Sequence, residues 1–228
     1  MSLPFRLITM SAVACILSLA ACAVSTDPYR FAMTVEVETP DGIRTGYSVY
    51  EVKVSRTVVL LPDGAKRDWS VMGEAVAVDL PNGQTLYALL RTDAHFGDMA
   101  GLSMATLHPD FRGTGYDVVG VAEELSPGRY LGPSQVVREN YPMLVTFANE
   151  SDPTSVALVD PDDLAATFGE GVSLRRITLE LTDDPVTRGI EERLGWLDNV
   201  YNMGSRMEDF PTEFPVGDFK GLFRKGHR

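Results

Sequence analysis

FAMTVEVETPDGIRTGYSVYEVKV, residues 31–54, is the stretch that decides the fold of this 228-residue chain. Apolar and polar residues alternate through residues 31–39, which is the pattern of a strand with one buried face. Pro40, Asp41 and Gly42 then indicate a turn, because Pro presets φ and Gly tolerates a positive φ. The Tyr- and Val-rich residues 43–54 return from that turn, so the stretch predicts a β-hairpin.

A second hairpin follows further along the chain. Its arms are residues 71–80 and 84–91, and Pro81-Asn82-Gly83 joins them. Asn-Gly between two apolar runs is a strong short-range signal for a hairpin turn. Between the two hairpins, residues 62–70 predict a loop, with a further turn at Asp63-Gly64.

The middle of the chain, residues 92–140, is interrupted throughout by Gly and Pro. We expect it to be loop-rich, with one short strand at residues 116–121. A long loop-rich segment inside a compact domain commonly carries function. A binding or catalytic site should therefore be sought here first.

The remaining sequence predicts three strands, two short helices and a tail. The strands are residues 141–149, 155–159 and 172–181, and the helices are residues 160–168 and 182–197. Residues 203–228 are rich in Gly, Pro and charge, which predicts an extended or disordered tail. The expected fold class is mainly β (α+β): an antiparallel β-sandwich or barrel-like sheets with two short C-terminal helices.

The N-terminus has the pattern of a bacterial export signal. Arg6 precedes an uncharged, mostly apolar run over residues 7–21, which is shorter than the roughly 20 residues a membrane-spanning helix needs. Leu19-Ala20-Ala21-Cys22 resembles the lipobox of bacterial lipoproteins, in which the Cys thiol takes a diacylglycerol and becomes the new N-terminus. The resemblance implies a lipid-anchored protein of the cell envelope that faces the periplasm, with Cys22 as the acylated residue.

This interpretation divides the chain into a signal peptide at residues 1–21, a tether at 22–29, a single β-rich domain at 30–202 and the tail. Ordinary signal peptidase is the alternative, because Ala21-Cys22-Ala23 also fits its small-x-small rule. That cleavage would release a soluble periplasmic or secreted protein beginning at Val24. Cleavage after Ala20 and an uncleaved membrane anchor are further alternatives.

Charge and cysteine content exclude several classes of function. The net charge is −12 and the pI about 4.6, and loss of residues 1–21 removes only the positive charge of Arg6. Such an acidic chain is unsuited to nucleic acid, and its overall charge disfavours anionic lipid headgroups, so membrane attachment would be covalent. Cys15 leaves with the signal. With Cys22 acylated, the mature protein has no thiol for a disulfide or for catalysis.

Acidic residues near position 160 suggest either helix capping or a cation site. Asp160, Asp162 and Asp163 have the oxygen ligands that Ca²⁺ prefers, but their spacing is not that of an EF-hand loop. Asp160 is a natural N-cap residue and Pro161 suits the first helical position, so capping is the favoured interpretation. No cofactor is expected.

The histidines give one weak candidate for a catalytic or metal site. His95 and His108 lie in the loop-rich segment together with Asp93, Asp98 and Asp110, where a His/Asp arrangement for metal binding or acid–base chemistry could form. His95, His108 and Asp110 are the weak metal candidates. Their spacing matches no metal motif, and HExxH, GxSxG and SxxK are all absent from the sequence. Exposed loop histidines are the favoured interpretation.

Four segments resemble a family of exported alphaproteobacterial proteins. They are the hairpin from Met33 through Pro-Asp-Gly, the GEAVAVDLP that begins at Gly73, the segment from Asp152-Pro to Asp160-Pro, and RIT…DPVTRGIEERL from Arg176. The resemblance spans most of the mature chain. It implies a single folded domain of a Gram-negative envelope, and it carries no catalytic or ligand residue to this sequence.

Three functions remain open on the sequence. The leading hypothesis is a non-catalytic cell-envelope lipoprotein with a binding or structural role, attached to the membrane by its lipid and able to bind an envelope protein partner. The second is a periplasmic hydrolase or metal-dependent enzyme that uses residues 93–110. The third is a carrier of a small apolar ligand enclosed between the sheets.

Overall fold

A computed structural model describes residues 23–57, 66–92, 97–108, 110–111, 117–126, 132–199, 210 and 219–226. The signal at residues 1–21, Cys22, Asp93 and His95 lie outside the described residues. The strands are β1 Ala23–Ser25, β2 Tyr29–Thr39, β3 Gly42–Thr57, β4 Lys66–Glu74, β5 Val76–Asp79, β6 Thr85–Thr92, β7 Ser134–Gln135, β8 Pro142–Phe147, β9 Val156–Leu158, β10 Ser173–Leu181 and β11 Arg224–Lys225. The helices are α1 Met99–Leu107, α2 Val118–Leu125, α3 Leu164–Phe168, α4 Ile190–Arg193 and α5 Phe219–Phe223.

Two antiparallel sheets organise the part of the chain that is described. The larger has seven strands in the order β11-β4-β3-β2-β10-β7, with β1 paired to the end of β3. The smaller has four strands in the order β5-β6-β8-β9. This arrangement confirms the predicted mainly-β, sandwich-like fold. None of the described helices is long and apolar enough to cross a membrane.

The first predicted hairpin is confirmed as β2 and β3. The two strands pair without interruption from Thr39↔Gly42 to Tyr29↔Val52. Phe31, Met33, Val35 and Val37 are all buried, as the alternation predicts. This face of β2 lies in the core, where the ring of Phe31 stacks on that of Tyr50 with centroids 5.0 Å apart.

The second hairpin is confirmed as β5 and β6, but its first arm divides between the two sheets. Residues 66–70, predicted as a loop, belong to β4, which continues to Glu74 in the larger sheet. After Ala75 the chain enters the smaller sheet as β5. Gly73 makes this corner possible: its φ is 151°, and a Cβ there would lie 2.4 Å from the Tyr50 ring. Any larger residue would collide with that ring.

The two sheets contact each other closely where β5 crosses β3. A Cβ at Gly46 would lie 2.2 Å from the carbonyl oxygen of Ala77, so this contact requires glycine. Aromatic and aliphatic side chains fill the space between the sheets. The largest of the fully buried ones are Tyr29, Tyr50, Tyr87, Phe31, Phe219, Phe223 and Met33.

The middle segment contains two helices, and the strand predicted at residues 116–121 is wrong. Residues Val118, Val121, Ala122 and Leu125 are buried on one face of α2, at the i, i+3, i+4 and i+7 spacing of an amphipathic helix. Two of the glycines that led to the loop prediction lie within these helices, Gly101 in α1 and Gly120 in α2. Burial of one apolar face therefore prevails over the low helix propensity of glycine.

Strands at residues 141–149, 155–159 and 172–181 are confirmed as β8, β9 and β10, but both C-terminal helices are shorter than predicted. The first begins only at Leu164 as α3. The second is reduced to the four residues of α4, because the preceding chain bonds to β3 instead. The Val49 amide donates to Thr187 Oγ1, and the Thr187 amide donates to the Val49 carbonyl. Pairing with β3 thus prevails over helical periodicity.

Both predicted ends of the domain also differ. Ala23–Ser25 is a strand paired with Ser55–Thr57, and Thr26 is buried, so residues 23–26 are not a free tether. At the other end, the prediction of an extended or disordered tail is wrong for residues 219–226. There α5 buries Phe219 and Phe223 in the core, and β11 pairs with β4. Burial of these aromatic rings stabilises the segment, although its content of Gly, Pro and charged residues favours disorder.

Candidate functional site

The members of the predicted His/Asp site that the structure describes, Asp98, His108 and Asp110, do not form a common site. Asp93 and His95 lie outside the described residues. Asp98 lies at the N-terminus of α1 and His108 at its C-terminus, so about 15 Å of helix separates them at 1.5 Å per residue. Within the described chain, no three His, Cys, Asp or Glu side chains could hold a metal ion together. Asp110 lies close after His108 and joins no such group.

Asp98 and His108 each have a contact that supports the local structure. Asp98 caps α1, because its Oδ1 accepts from the Gly101 amide at 3.0 Å, and its Oδ2 accepts from the Trp69 indole N–H at 2.6 Å. His108 Nε2 lies 3.3 Å from a carboxylate oxygen of Glu124, which connects α1 to α2. These contacts position helices rather than a reacting group.

The acidic residues near position 160 are likewise engaged in the local structure. Asp163, not Asp160, is the N-cap of α3, accepting from the Ala166 amide at 3.1 Å. Asp160 accepts from the Asp162 amide at 2.9 Å and so forms a turn. An Asp therefore caps this helix as predicted, but the capping residue lies three positions later. The reason is that the helix begins at Leu164 rather than at Pro161.

A cleft of about 500 Å³ opens beside this turn, next to β8 and β9. Buried Met143, Leu144 and Val159 form its floor. Leu158, which is 44% exposed, stands at its edge, and Arg138 and Asp160 bring charge to its wall. Tyr141, Pro142, Pro161 and Glu139 complete the lining. An apolar floor with a few polar groups around it is typical of a binding cleft.

Arg138 holds two sides of this cleft together. Its Nε and Nη2 donate to the two carboxylate oxygens of Asp162 at 2.8 and 2.6 Å, and its guanidinium carbon lies 5.5 Å from the centre of the Tyr141 ring. The charged hydrogen bonds lower the pKa of the Asp162 carboxyl and raise that of Arg138. Because the pair is exposed, it contributes little to the free energy of unfolding. Its two parallel hydrogen bonds instead fix the shape of the cleft.

Strand β9 forms one border of the same cleft and is an edge strand. Among the described strands it pairs with β8 alone. The Val159 amide donates to Leu144, and the Ser155 carbonyl accepts from Ala148, so positions 155, 157 and 159 bond toward β8. By alternation, the amides and carbonyls of Val156 and Leu158 point to the free edge. Leu158 and the exposed Ala157 thus border a row of backbone groups that another strand could use.

A second cleft, of about 340 Å³, lies on the outer face of β2, β10 and β7. Its lining is polar, and Glu36 accepts two hydrogen bonds from Arg176 across it, at 2.9 and 2.6 Å. Since this cleft lacks an apolar floor, the cleft beside β9 is the better candidate for binding.

A cluster of charged side chains, two of them buried, attaches the C-terminal segment to the larger sheet. Glu74 is 2% exposed, and its Oε2 accepts from the Ile190 amide at 2.9 Å. Arg224, opposite Glu74 in the β4–β11 register, has an 8% exposed side chain and contacts Glu191 at 3.2 Å and Asp198. Burial raises the pKa of Glu74, although the amides of Ile190 and Gly189 and the charge of Arg224 oppose that rise.

Glu74→Gln is expected to change how stability depends on pH. Because folding raises the pKa of Glu74 above its ordinary 4.5, the folded state binds the proton more tightly, and the free energy of unfolding falls as pH rises through the interval between the two values. Gln keeps an acceptor for the Ile190 amide and does not ionise. The free energy of unfolding of the variant, relative to that of the natural protein, should therefore rise across that interval. The rise should be about 1.4 kcal/mol for each unit by which folding raises the pKa of Glu74.

The measurement is urea unfolding of both proteins from pH 4 to pH 8. Asp79, Asp162 and Asp198 have lowered pKa values, so they stabilise increasingly as pH rises, but they are present in both proteins and cancel in the difference. A difference that stays constant with pH would show that Glu74 does not carry the effect.

Sequence reasoning missed the cleft beside β9 and the Glu74 group. Only the strand predicted at residues 155–159 pointed toward the first, because it ends at the acidic residues that border the cleft. Nothing in the local sequence marked Glu74, whose partners come from residues more than 100 positions away. Comparison with protein-family models, with curated proteins and with solved structures finds no match for this chain.

Proposed function

We propose that this protein is a non-catalytic cell-envelope lipoprotein, anchored through Cys22, that binds an extended segment of a partner protein at the edge of β9. The observation that carries the binding proposal is the outward edge of β9 beside a cleft with an apolar floor. The resemblance to a lipobox and to an exported alphaproteobacterial family supports the envelope location.

The edge of β9 fits a partner in strand conformation. A peptide added there would bond to the outward backbone groups of Val156 and Leu158, extending the smaller sheet by one strand. Its alternate side chains would fall over Leu158 and into the cleft above Met143 and Leu144. Backbone bonds would supply affinity, and the cleft would select an apolar side chain.

The charged wall of the cleft adds orientation. Arg138 is fixed by Asp162 and Tyr141, so its position costs little further entropy when a partner binds. Asp160 lies on the same wall. A partner segment with an apolar residue flanked by polar groups would match this arrangement.

The enzyme hypothesis gains less support from the geometry. Asp98 and His108 lie at opposite ends of α1, and among the described residues no three His, Cys, Asp or Glu side chains are grouped so as to hold a metal ion. The carrier hypothesis needs an enclosed space, whereas aromatic side chains such as Phe31, Tyr50 and Tyr87 occupy the region between the sheets. The cleft beside β9 is open to solvent and suits a peptide better than an enclosed ligand.

Leu158→Pro should abolish binding of the partner in intact cells. Proline removes the outward N–H that an added strand would use, while an edge position tolerates it within the sheet. Leu158→Ala keeps that N–H and should reduce binding only modestly. The readout is a photo-crosslinking amino acid at the exposed Ala157, which should give one discrete protein adduct in the natural background and none in Leu158→Pro.

A crosslinker at Tyr47 serves as the positional control, because Tyr47 is 65% exposed on the outer face of the larger sheet. It should not give the same adduct. If position 157 yields no protein adduct, or if Leu158→Pro and Leu158→Ala behave alike, the edge of β9 is not a strand-addition site and the proposed function fails.

A further inference from the structure

The cleft beside β9 lies in a part of the chain that carries negative charge only. Residues 139–174 contain β8, β9 and α3, and they include no Lys or Arg, although the whole chain has 20 of these residues. The acidic residues of this segment are Glu139, Glu150, Asp152, Asp160, Asp162, Asp163 and Glu170. A partner that approaches the edge of β9 therefore meets a negatively charged segment.

Arg138 is the only basic side chain among the described residues that line the cleft, and its charge is already compensated. Both of its hydrogen bonds to Asp162 are charged and short, at 2.8 and 2.6 Å. Glu139 and Asp160 line the same cleft, are exposed to solvent, and make no ion pair within the described chain. The wall of the cleft therefore has a net negative charge.

Asp160 is held in position by the turn that follows β9. Its Oδ1 accepts from the Asp162 amide at 2.9 Å, and its carbonyl accepts from the Asp163 amide at 3.1 Å. Within the described chain, no group donates to its other carboxylate oxygen. A carboxylate that is already fixed loses little side-chain entropy when it binds a cationic group.

The register of an added strand connects this carboxylate with the apolar part of the cleft. A partner residue opposite Leu158 would place its side chain on the same face as Leu158, which borders the cleft. The partner residue two positions further along would lie on that face again, beside Asp160. The two partner side chains that meet the floor and the wall of the cleft are therefore two positions apart.

We propose that the partner segment bound at β9 is cationic, with a Lys or Arg two positions from the apolar residue that enters the cleft. This inference rests on the proposed function and names the charge of its partner. Opposite charges favour the encounter of two proteins, whereas an acidic segment would be repelled. A metal ion is a poorer occupant, because no three His, Cys, Asp or Glu side chains of the described residues could hold one.

The first test extends the crosslinking experiment at Ala157 in intact cells. Glu139→Gln/Asp160→Asn removes both charges and keeps an acceptor for the turn. It should lower the yield of the protein adduct about two- to fivefold, as loss of exposed ion pairs does. Glu38→Gln/Asp41→Asn makes the same charge change at exposed positions of the hairpin of β2 and β3, and it should leave the yield unchanged.

Mass spectrometry of the adduct, digested with a protease that does not cleave at basic residues, identifies the crosslinked segment of the partner. The segment should contain a Lys or Arg two positions from an apolar residue, and this readout needs no variant to fold. Equal yields in the two double variants, or a segment without that spacing, overturns the inference, while the adduct itself still supports the proposed function. Absence of any adduct contradicts the proposed function and removes the basis of the inference.

Two synthetic peptides of identical composition test the spacing on the purified full chain. The peptide TKTLTKT has both lysines two positions from the leucine, whereas TTKLKTT has them next to it, on the other face of a strand. Fluorescence anisotropy at low salt should show about two- to fivefold tighter binding of the first peptide. The difference should disappear in Glu139→Gln/Asp160→Asn and at about 1 M salt, where the Debye length is about 3 Å. Equal affinities of the natural protein for the two peptides overturn the inference.

Discussion

Phe223→Ala is expected to lower the free energy of unfolding by about 3–5 kcal/mol, as removal of a fully buried phenylalanine does in other cores. Phe223 is 0% exposed at the end of α5, and its carbonyl accepts from the Ala75 amide at 2.8 Å, at the corner between β4 and β5. Its ring lies 5.4–6.1 Å, between centroids, from the rings of Tyr87, Phe147, Trp196 and Phe219.

The loss should exceed that of a lone apolar contact, because Phe223 closes an aromatic cluster drawn from four separate segments of the chain. Chemical denaturation monitored by circular dichroism gives the free energy of unfolding. Ile43→Ala, at a side chain that is 50% exposed on β3, is the control and should cost about 0.5 kcal/mol or less. A Phe223→Ala effect as small as that of Ile43→Ala would mean that α5 does not belong to the core.

Arg224→Met is expected to destabilise the protein by about 3–5 kcal/mol at neutral pH, since removing one partner leaves buried negative charge uncompensated. Arg224 lies opposite Glu74 and contacts Glu191 and Asp198. Methionine keeps much of the apolar stem, so packing changes little. The defect should shrink when Glu74→Gln is added, because the most buried of the negative charges is then absent.

Arg193→Met is the matched control for this prediction. Arg193 also makes a two-point contact with a carboxylate, Asp79, but its side chain is 36% exposed against 8% for Arg224. Solvent screening should limit its effect to about 1 kcal/mol or less. A double-mutant cycle of Arg224→Met and Glu74→Gln measures the coupling. Purely additive effects would show that the two charges do not interact.

The strands were predictable because their signals are local. Alternation in residues 31–39, with Pro40 to Gly42 behind it, specifies both a face and a turn without reference to the remaining chain. The same holds for Asn82-Gly83 between β5 and β6. The helices were less predictable: α2 contains Gly120 and lies in a Gly- and Pro-rich stretch that suggested a loop. The helix α4 is cut short by bonds from Thr187 to a strand some 140 positions earlier.

The candidate site depended on contacts that no local pattern contains. Arg138 and Asp162 meet across the cleft although 24 positions separate them. The exposure of Leu158 follows from the order of strands in the smaller sheet, which ends at β9. The sequence could place a strand at residues 155–159, but its being an edge strand is a property of the assembled sheet.

Pairing between β2 and β10 determines when this protein can fold. Strand β2 pairs with Ser173–Leu181 and β4 pairs with Arg224–Lys225, so both have partners 135 to 152 residues later in the chain. During synthesis the hairpin of β2 and β3 must therefore remain unpaired along one side of β2 until β10 has been made. Such distant pairings also slow folding. A domain whose strands pair late stays unfolded for longer, which would suit the proposed export of this protein across a membrane.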